Sequence, residues 1–295
     1  LRHGTHSAIM LGMGTVSASR TYRDWSRAAL LLLACAVIIA WGGDTRAGSD
    51  RVEQHRFHSR LFDDERTLLV RVPEAPDSSR TSPLPLLLSF QGEDLFDVDV
   101  AAGDTEWAVD ALLDRNPAGI PPFLVVGLVS APHAVREFAT PGSRPDAQAQ
   151  RLMQCLVEEV LPFVEARWPV TRKASERVLM GMGDSAWTAV YGAWVHTSVF
   201  SSAVAFDLPD VEVTALDWPQ REPEAPFPWL WLEQSTAERG RRSNSGVFAA
   251  LQGAGVVRIV VAGPQASGPA RLAAALRETP VARALAAEVD LRPAR

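Results

Sequence analysis

Histidine runs out early in this chain. Six are present, His3, His6, His55, His58, His133 and His196, and none follows His196. Any chemistry that takes its general base from the C-terminal third by way of an imidazole is therefore excluded. Cysteine is scarcer still, with Cys35 and Cys155 the only two. No C-x-x-C pair and no His/Cys cluster at metal-ligand spacing exists, so the sequence offers no ordinary zinc site. If Cys35 leaves with an N-terminal leader, no intrachain disulfide remains. Cys155 lies in RLMQCLVEEVLPFVEARW, where the apolar positions recur with helical period, and it reads as a buried core thiol. A basic surplus is also missing. The formal net charge is -6, and Lys and Arg are scattered among Asp and Glu as on a solvated surface. That balance gives no footprint for nucleic acid. There is no internal repeat, no low-complexity tract and no sign of a nucleotide, flavin or metal cofactor.

What is present starts with an address. RTYRDWSR (20–27) is basic, AALLLLACAVIIAWGG (28–43) is apolar, and Thr45 and Ala47 in DTRAGSD fit the small-residue rule of a signal-peptidase site. The expectation is a signal peptide over 1–47 with cleavage after Ala47 and export to the periplasm or exterior. An anchor at 28–43 and a lipoprotein acylated at Cys35 are the alternatives. The run is short for a full span of about 20 residues and continues past the cysteine. Any membrane contact would come from this segment alone. Residues 48–295 are expected to form one domain, since the remaining length and the apolar fraction of 47% suit a single large α/β unit. The oligomeric state is open.

Strand-like and helix-like segments alternate along that domain. HRFHSRLF (55–62) and ERTLLVRVP (65–73) read as half-buried strands that form an antiparallel edge. PLPLLLSF (83–90) and FLVVGLVS (123–130) are continuous apolar runs, as strands covered on both faces are. ERVLMG, SSAVAFDL (201–208), PWLWLEQS (228–235) and VVRIVVAG (256–263) are further strands. Helical patterns cover TEWAVDALLDR (105–115), about 148–167, and DSAWTAVYGAWVH. The alternation predicts a mostly parallel sheet of about eight strands with helices on both faces. Ligands of such a sheet bind at the carboxyl ends of its strands.

One such end carries ERVLMGMGDSAWTAVYGAWVHTSVF (176–200), an apolar run, a glycine turn and a small-residue helix. This is the layout of a nucleophile elbow. Three blocks resemble the esterase D and enterobactin-esterase branch of the α/β-hydrolases, over roughly residues 54–285. SFQGEDLFD with EWAVDALLDR resembles that family's D-G-Q-N-L-F-D block and its E-W-x-x-D helix. GIPPFLVVGLVSAPHAVREFATP resembles the strand and loop ending in R-x-x-E-Y-T-P. From Gly181 to Phe200 the family's elbow block runs without a gap, with Tyr191, Ala193, His196 and Phe200 in register. The resemblance implies the α/β-hydrolase fold and an esterase ancestry with a small ester-like ligand.

The resemblance also implies where the reaction would sit, and there the sequence departs from it. Gly183 stands at the nucleophile position and has no side chain with which to attack. Gln265 stands nearest the expected histidine and cannot take a proton from an alcohol. Glu238 is the best candidate acid and Glu233 the alternative. With no histidine to orient, either reads as a surface carboxylate. The oxyanion hole would use the backbone N–H groups of Asp184 and Glu93, crowded by the carboxylates of Glu93, Asp94 and Asp184. Ser185 is the alternative nucleophile, although in this register it takes a glycine's place at the helix start and reads as a cap. His133 is the alternative base, otherwise an exposed loop histidine, and Trp187 reads as core packing, with lining or filling of the cleft beyond the elbow as the alternative. No residue is assigned to catalysis. The leading expectation is a hydrolase-fold protein that has lost ester hydrolysis and acts by binding; a serine esterase built on Ser185 is the alternative.

Overall fold

The computed structural model describes residues 52–73, 83–96, 107–115, 118–209, 227–234, 248–249, 251, 257–261 and 267–290. The expected signal segment over 1–47 with Cys35, and the positions of Glu238 and Gln265, lie outside the described residues. Gly48–Arg295 forms one compact unit.

Eight strands make one sheet. They are β1 (Val52–Ser59), β2 (Asp64–Arg71), β3 (Leu86–Phe90), β4 (Leu124–Leu128), β5 (Arg177–Met182), β6 (Ser202–Phe206), β7 (Trp229–Gln234) and β8 (Val257–Val261). Their spatial order is β1-β2-β4-β3-β5-β6-β7-β8. β1 and β2 form an antiparallel hairpin, and β2 joins β4 antiparallel. Every other pairing is parallel. The helices are α1 (Val109–Asp114), α2 (Ala134–Glu137), α3 (Ala149–Cys155), α4 (Leu161–Glu165), α5 (Ala186–Val195), α6 (Gly268–Arg277) and α7 (Pro280–Asp290).

β3, β4, β5 and β6 are buried along their whole length because helices cover both sheet faces. One core holds Leu86, Leu88, Met153, Leu156, Trp187 and Tyr191, so α3 and α5 pack on that face. The other holds Leu87, Val125, Trp107, Leu272 and Val281, so α1, α6 and α7 pack on the opposite face. Between α3 and α4 the helix widens into a π-type turn at Leu156–Val160. Pro162 follows, and it has no N–H for the carbonyl four residues back, which suits a widened turn there.

The expected strand 55–62 stops three residues early. The chain turns through Arg60–Asp63, with Asp63 in left-handed backbone (φ 54°). A carboxylate from the π turn causes this. Glu159 accepts from Ser59 Oγ at 2.6 Å, from the Arg60 N–H at 3.0 Å and from the Leu61 N–H at 3.3 Å. Burial alone would push the Glu159 carboxyl up, but hydrogen bonds from Ser59, Cys155, Leu61 and Arg60 outweigh it and hold it below the ordinary carboxylate range.

Candidate functional site at the carboxyl ends of the strands

β5 ends at Met182, and one 3₁₀ turn, Gly183–Ser185, leads into α5. Gly183 has φ 51°, the left-handed conformation of an elbow. A Cβ built there would meet nothing within 4 Å, so a side chain at this position would stand in open space. Gly181 is the opposite case. A Cβ on it would lie 2.3 Å from the carbonyl oxygen of Ser185, so the strand and the helix start can approach only because Gly181 lacks one.

Ser185 is fully buried. Its Oγ accepts the Met182 N–H at 3.0 Å and donates to Gln91 Oε1 at 2.6 Å, with the Met182 carbonyl 3.1 Å away. The hydroxyl is committed to holding the turn and to a residue of the neighbouring loop. That loop follows β3. Gln91 is left-handed (φ 56°, ψ 54°), and Gly92–Asp94 form a single 3₁₀ turn. Glu93 Oε2 accepts the Ser130 N–H at 2.9 Å, which ties the loop to the end of β4. Burial, and next the charge of Glu93, push the Asp94 carboxyl up. Asp184 is exposed. Trp187 is buried, and its indole N–H donates to the Pro209 carbonyl at 2.9 Å, pinning α5 to the segment after β6.

Further along the sheet, Glu233 is not a surface carboxylate as expected. It is 2% exposed at the end of β7 and bonded by Arg271 Nε. The same guanidinium donates through Nη2 to Asp207 Oδ1 at 2.9 Å and lies 5.1 Å from the ring centre of Trp107. Burial pushes the Glu233 carboxyl up, and Arg271 opposes the shift without cancelling it. A guanidinium on α6 thus joins the ends of β6 and β7, on the side where the resemblance puts the acid. It accepts no proton and cannot replace a histidine base.

His133 is exposed and precedes α2 at the far side of the loop after β4. It borders a groove of about 500 Å³ together with Phe62, Asp64, Thr67 and Ser130. A buried ion pair fixes the groove walls. Arg66 Nη1 and Nη2 donate to the two Glu137 oxygens at 2.7 and 2.8 Å, and Arg66 Nε donates to Asp64 at 2.7 Å. β3 lies between β4 and β5 in the sheet, so His133 belongs to a different part of the rim from Ser185, and the two share no hydrogen bond. His196 caps the end of α5, where burial lowers its pKa. Among the described residues no group of three His, Cys, Asp or Glu side chains is placed to hold a metal ion.

Solved structures with this architecture include serine esterases and hydrolases. The enterobactin esterase of Shigella flexneri aligns at 18% identity with a TM-score of 0.56, over 77% of this chain and 58% of its own. An IroE-like serine hydrolase of Shewanella oneidensis aligns at 17% with a TM-score of 0.53, over 78% of each chain. The S-formylglutathione hydrolase of Staphylococcus aureus aligns at 15% with a TM-score of 0.54, over 78% of this chain and 94% of its own. The chain has the α/β-hydrolase fold. No protein-family model and no curated protein sequence matches it. The chain spans little more than half the length of the Shigella enzyme. The strand–turn–helix at the end of β5 is present, with glycine at its left-handed position 183. The sequence revealed Gly183, since an elbow is a local pattern. It did not reveal Gln91 or Arg271, whose partners lie 94 and 38 residues away. The one local hint for Gln91 was a polar side chain at the carboxyl end of an apolar run.

Proposed function

We propose that this chain is an exported hydrolase-fold protein that binds an ester-like acyl compound at the elbow and does not hydrolyse it. One observation carries the reading. Gly183 keeps the left-handed turn and the open space of a nucleophile position without a nucleophile, while the neighbouring hydroxyl, Ser185, is buried and engaged on both sides. Acyl transfer needs a hydroxyl that reaches the carbonyl and a base within hydrogen-bond reach of it. Ser185 would have to leave two hydrogen bonds to reach a substrate, and no histidine beyond His196 exists to take its proton. The esterase and hydrolase names of the structural neighbours support an acyl compound as the ligand class. The basic, apolar and small-residue succession over 20–47 supports export. Among the described residues, no helix is long and apolar enough to cross a membrane.

The test is turnover of 4-nitrophenyl acetate and butyrate by the purified full chain. The expected result is release of nitrophenol at the rate of buffer alone. Saturable release that Ser185→Ala abolishes, with the variant still folded, would overturn the reading in favour of a Ser185 esterase.

A further inference from the structure

The hydrogen bonds of Ser185 determine how Gln91 is oriented. A serine hydroxyl has one proton to give. Ser185 Oγ already accepts the Met182 N–H at 3.0 Å, and it stands 2.6 Å from the amide of Gln91. That distance is the range of an O–H···O bond and is short for N–H···O. The amide therefore turns its oxygen toward Ser185 and its NH₂ away from it. Gln91 is half-buried, and its Nε2 makes no hydrogen bond with any described residue. Two N–H donors are left on a side chain whose oxygen is held beside the elbow turn. The left-handed backbone of Gln91 is costly for a residue with a Cβ, and it sets the side chain there. Two residues before Ser185 in the same turn, a Cβ built on Gly183 would meet nothing within 4 Å beyond its chain neighbours.

Charge selects what those donors can take. Glu93 and Asp94 follow Gln91 in the same turn, and Asp184 follows Gly183. A carboxylate or phosphate ligand would be repelled by them. A neutral carbonyl oxygen accepts an N–H bond from one of these donors and carries no charge. We infer that the elbow holds the carbonyl oxygen of an uncharged acyl compound, an ester or amide, through Gln91 Nε2, with Ser185 as the positioning residue that orients the amide. The turn that holds Ser185 carries glycine at 183, which offers no hydroxyl to attack the acyl group. This inference rests on the proposed non-catalytic reading and names the group that recognises the ligand.

The experiment is a titration of the ¹⁵N-labelled full chain followed by ¹H–¹⁵N correlation spectra. The side-chain NH₂ signals of Gln91 are identified by their loss in Gln91→Glu. That variant lets Ser185 go on donating to a carboxylate oxygen, and its dispersed spectrum checks the fold. The probes are ethyl butyrate, N-methylbutyramide and sodium butyrate. The ester and the amide are expected to shift the Gln91 NH₂ signals saturably, and the butyrate anion is not. Gln91→Glu is expected to lose this binding. Ser185→Ala, which frees the amide to rotate, is expected to weaken it at least several-fold. Saturable shifts elsewhere with the Gln91 signals unmoved would overturn the carbonyl site and leave a non-catalytic binding protein standing. The absence of any saturable shift would also overturn it, as would equal response to butyrate. Cleavage of ethyl butyrate during the titration would overturn the non-catalytic reading instead, and the amide would still report on Gln91.

Discussion

Gly181 and Gly183 are two residues apart and are glycine for different reasons. At Gly181 the obstacle is backbone: a Cβ would meet the Ser185 carbonyl oxygen at 2.3 Å. At Gly183 there is no obstacle, only a left-handed φ of 51°. Gly183→Ala should therefore cost about 1 kcal/mol, the price of the conformation alone. Gly181→Ala should cost about 3 kcal/mol, because strand and helix must separate. Urea unfolding of the two variants measures both, and similar costs would show that the turn is not built as described. Ser185→Ala leaves the Met182 N–H and the Gln91 amide without their partner. It should destabilise by about 1–3 kcal/mol. The elbow itself was legible in the sequence because turn and helix start are contiguous. The network that occupies Ser185 was not, because Gln91 enters from a loop 94 residues earlier.

Among the elements, the sheet was the most legible part. β3, β4 and β6 are covered on both faces, which leaves an unbroken apolar run as their signature. The β1–β2 turn was misplaced because its position is set by Glu159, about a hundred residues away in the π turn, and no local pattern reports it. This tie carries a pH dependence. The folded Glu159 carboxyl lies below its ordinary range, so the folded state binds fewer protons than the unfolded chain as the medium is acidified. Its stabilisation is present at neutral pH and is lost as pH falls below about 5 through the folded value. Unfolding followed from pH 7 to pH 3 should show this loss, and Glu159→Gln should make the curve flatter. An unchanged curve would mean that the hairpin does not depend on the carboxylate. The groove beside His133 has its own tie in the buried pair of Arg66 and Glu137, each at most 4% exposed. Glu137→Ala should cost about 3–5 kcal/mol, because it leaves a buried guanidinium without its main partner. Arg66→Met with Glu137→Leu should recover most of that loss, and thermal unfolding of the single and double variants separates the cases.

For the whole molecule, one thiol reports on integrity. Cys155 is buried with its sulfur 3.3 Å from Glu159 Oε2, and burial pushes its pKa up to about 12. The folded state therefore keeps this proton where the unfolded chain loses it, and stability falls as pH rises from about 9 toward 12. At pH 8 the thiol is protonated and shielded, so iodoacetamide should label it only at the rate of unfolding. Labelling much faster than unfolding, measured in the same buffer, would contradict the packing around α3. The same scale separates what fold and site can say. A mostly parallel sheet between two layers of helices places an elbow at the end of β5 and a loop at the end of β3 whether or not chemistry follows, and the side chains standing there decide function. Here they are a glycine, a buried serine and a glutamine.

The most direct measurement is fluorophosphonate labelling of the folded full chain, with the modified residue read by peptide mass spectrometry. A hydrolase fold without an activated serine predicts no label on any residue while circular dichroism shows the sheet and helices intact. A label on Ser185 that disappears on unfolding would contradict it. It would show that the hydroxyl leaves Gln91 and Met182 to act as a nucleophile.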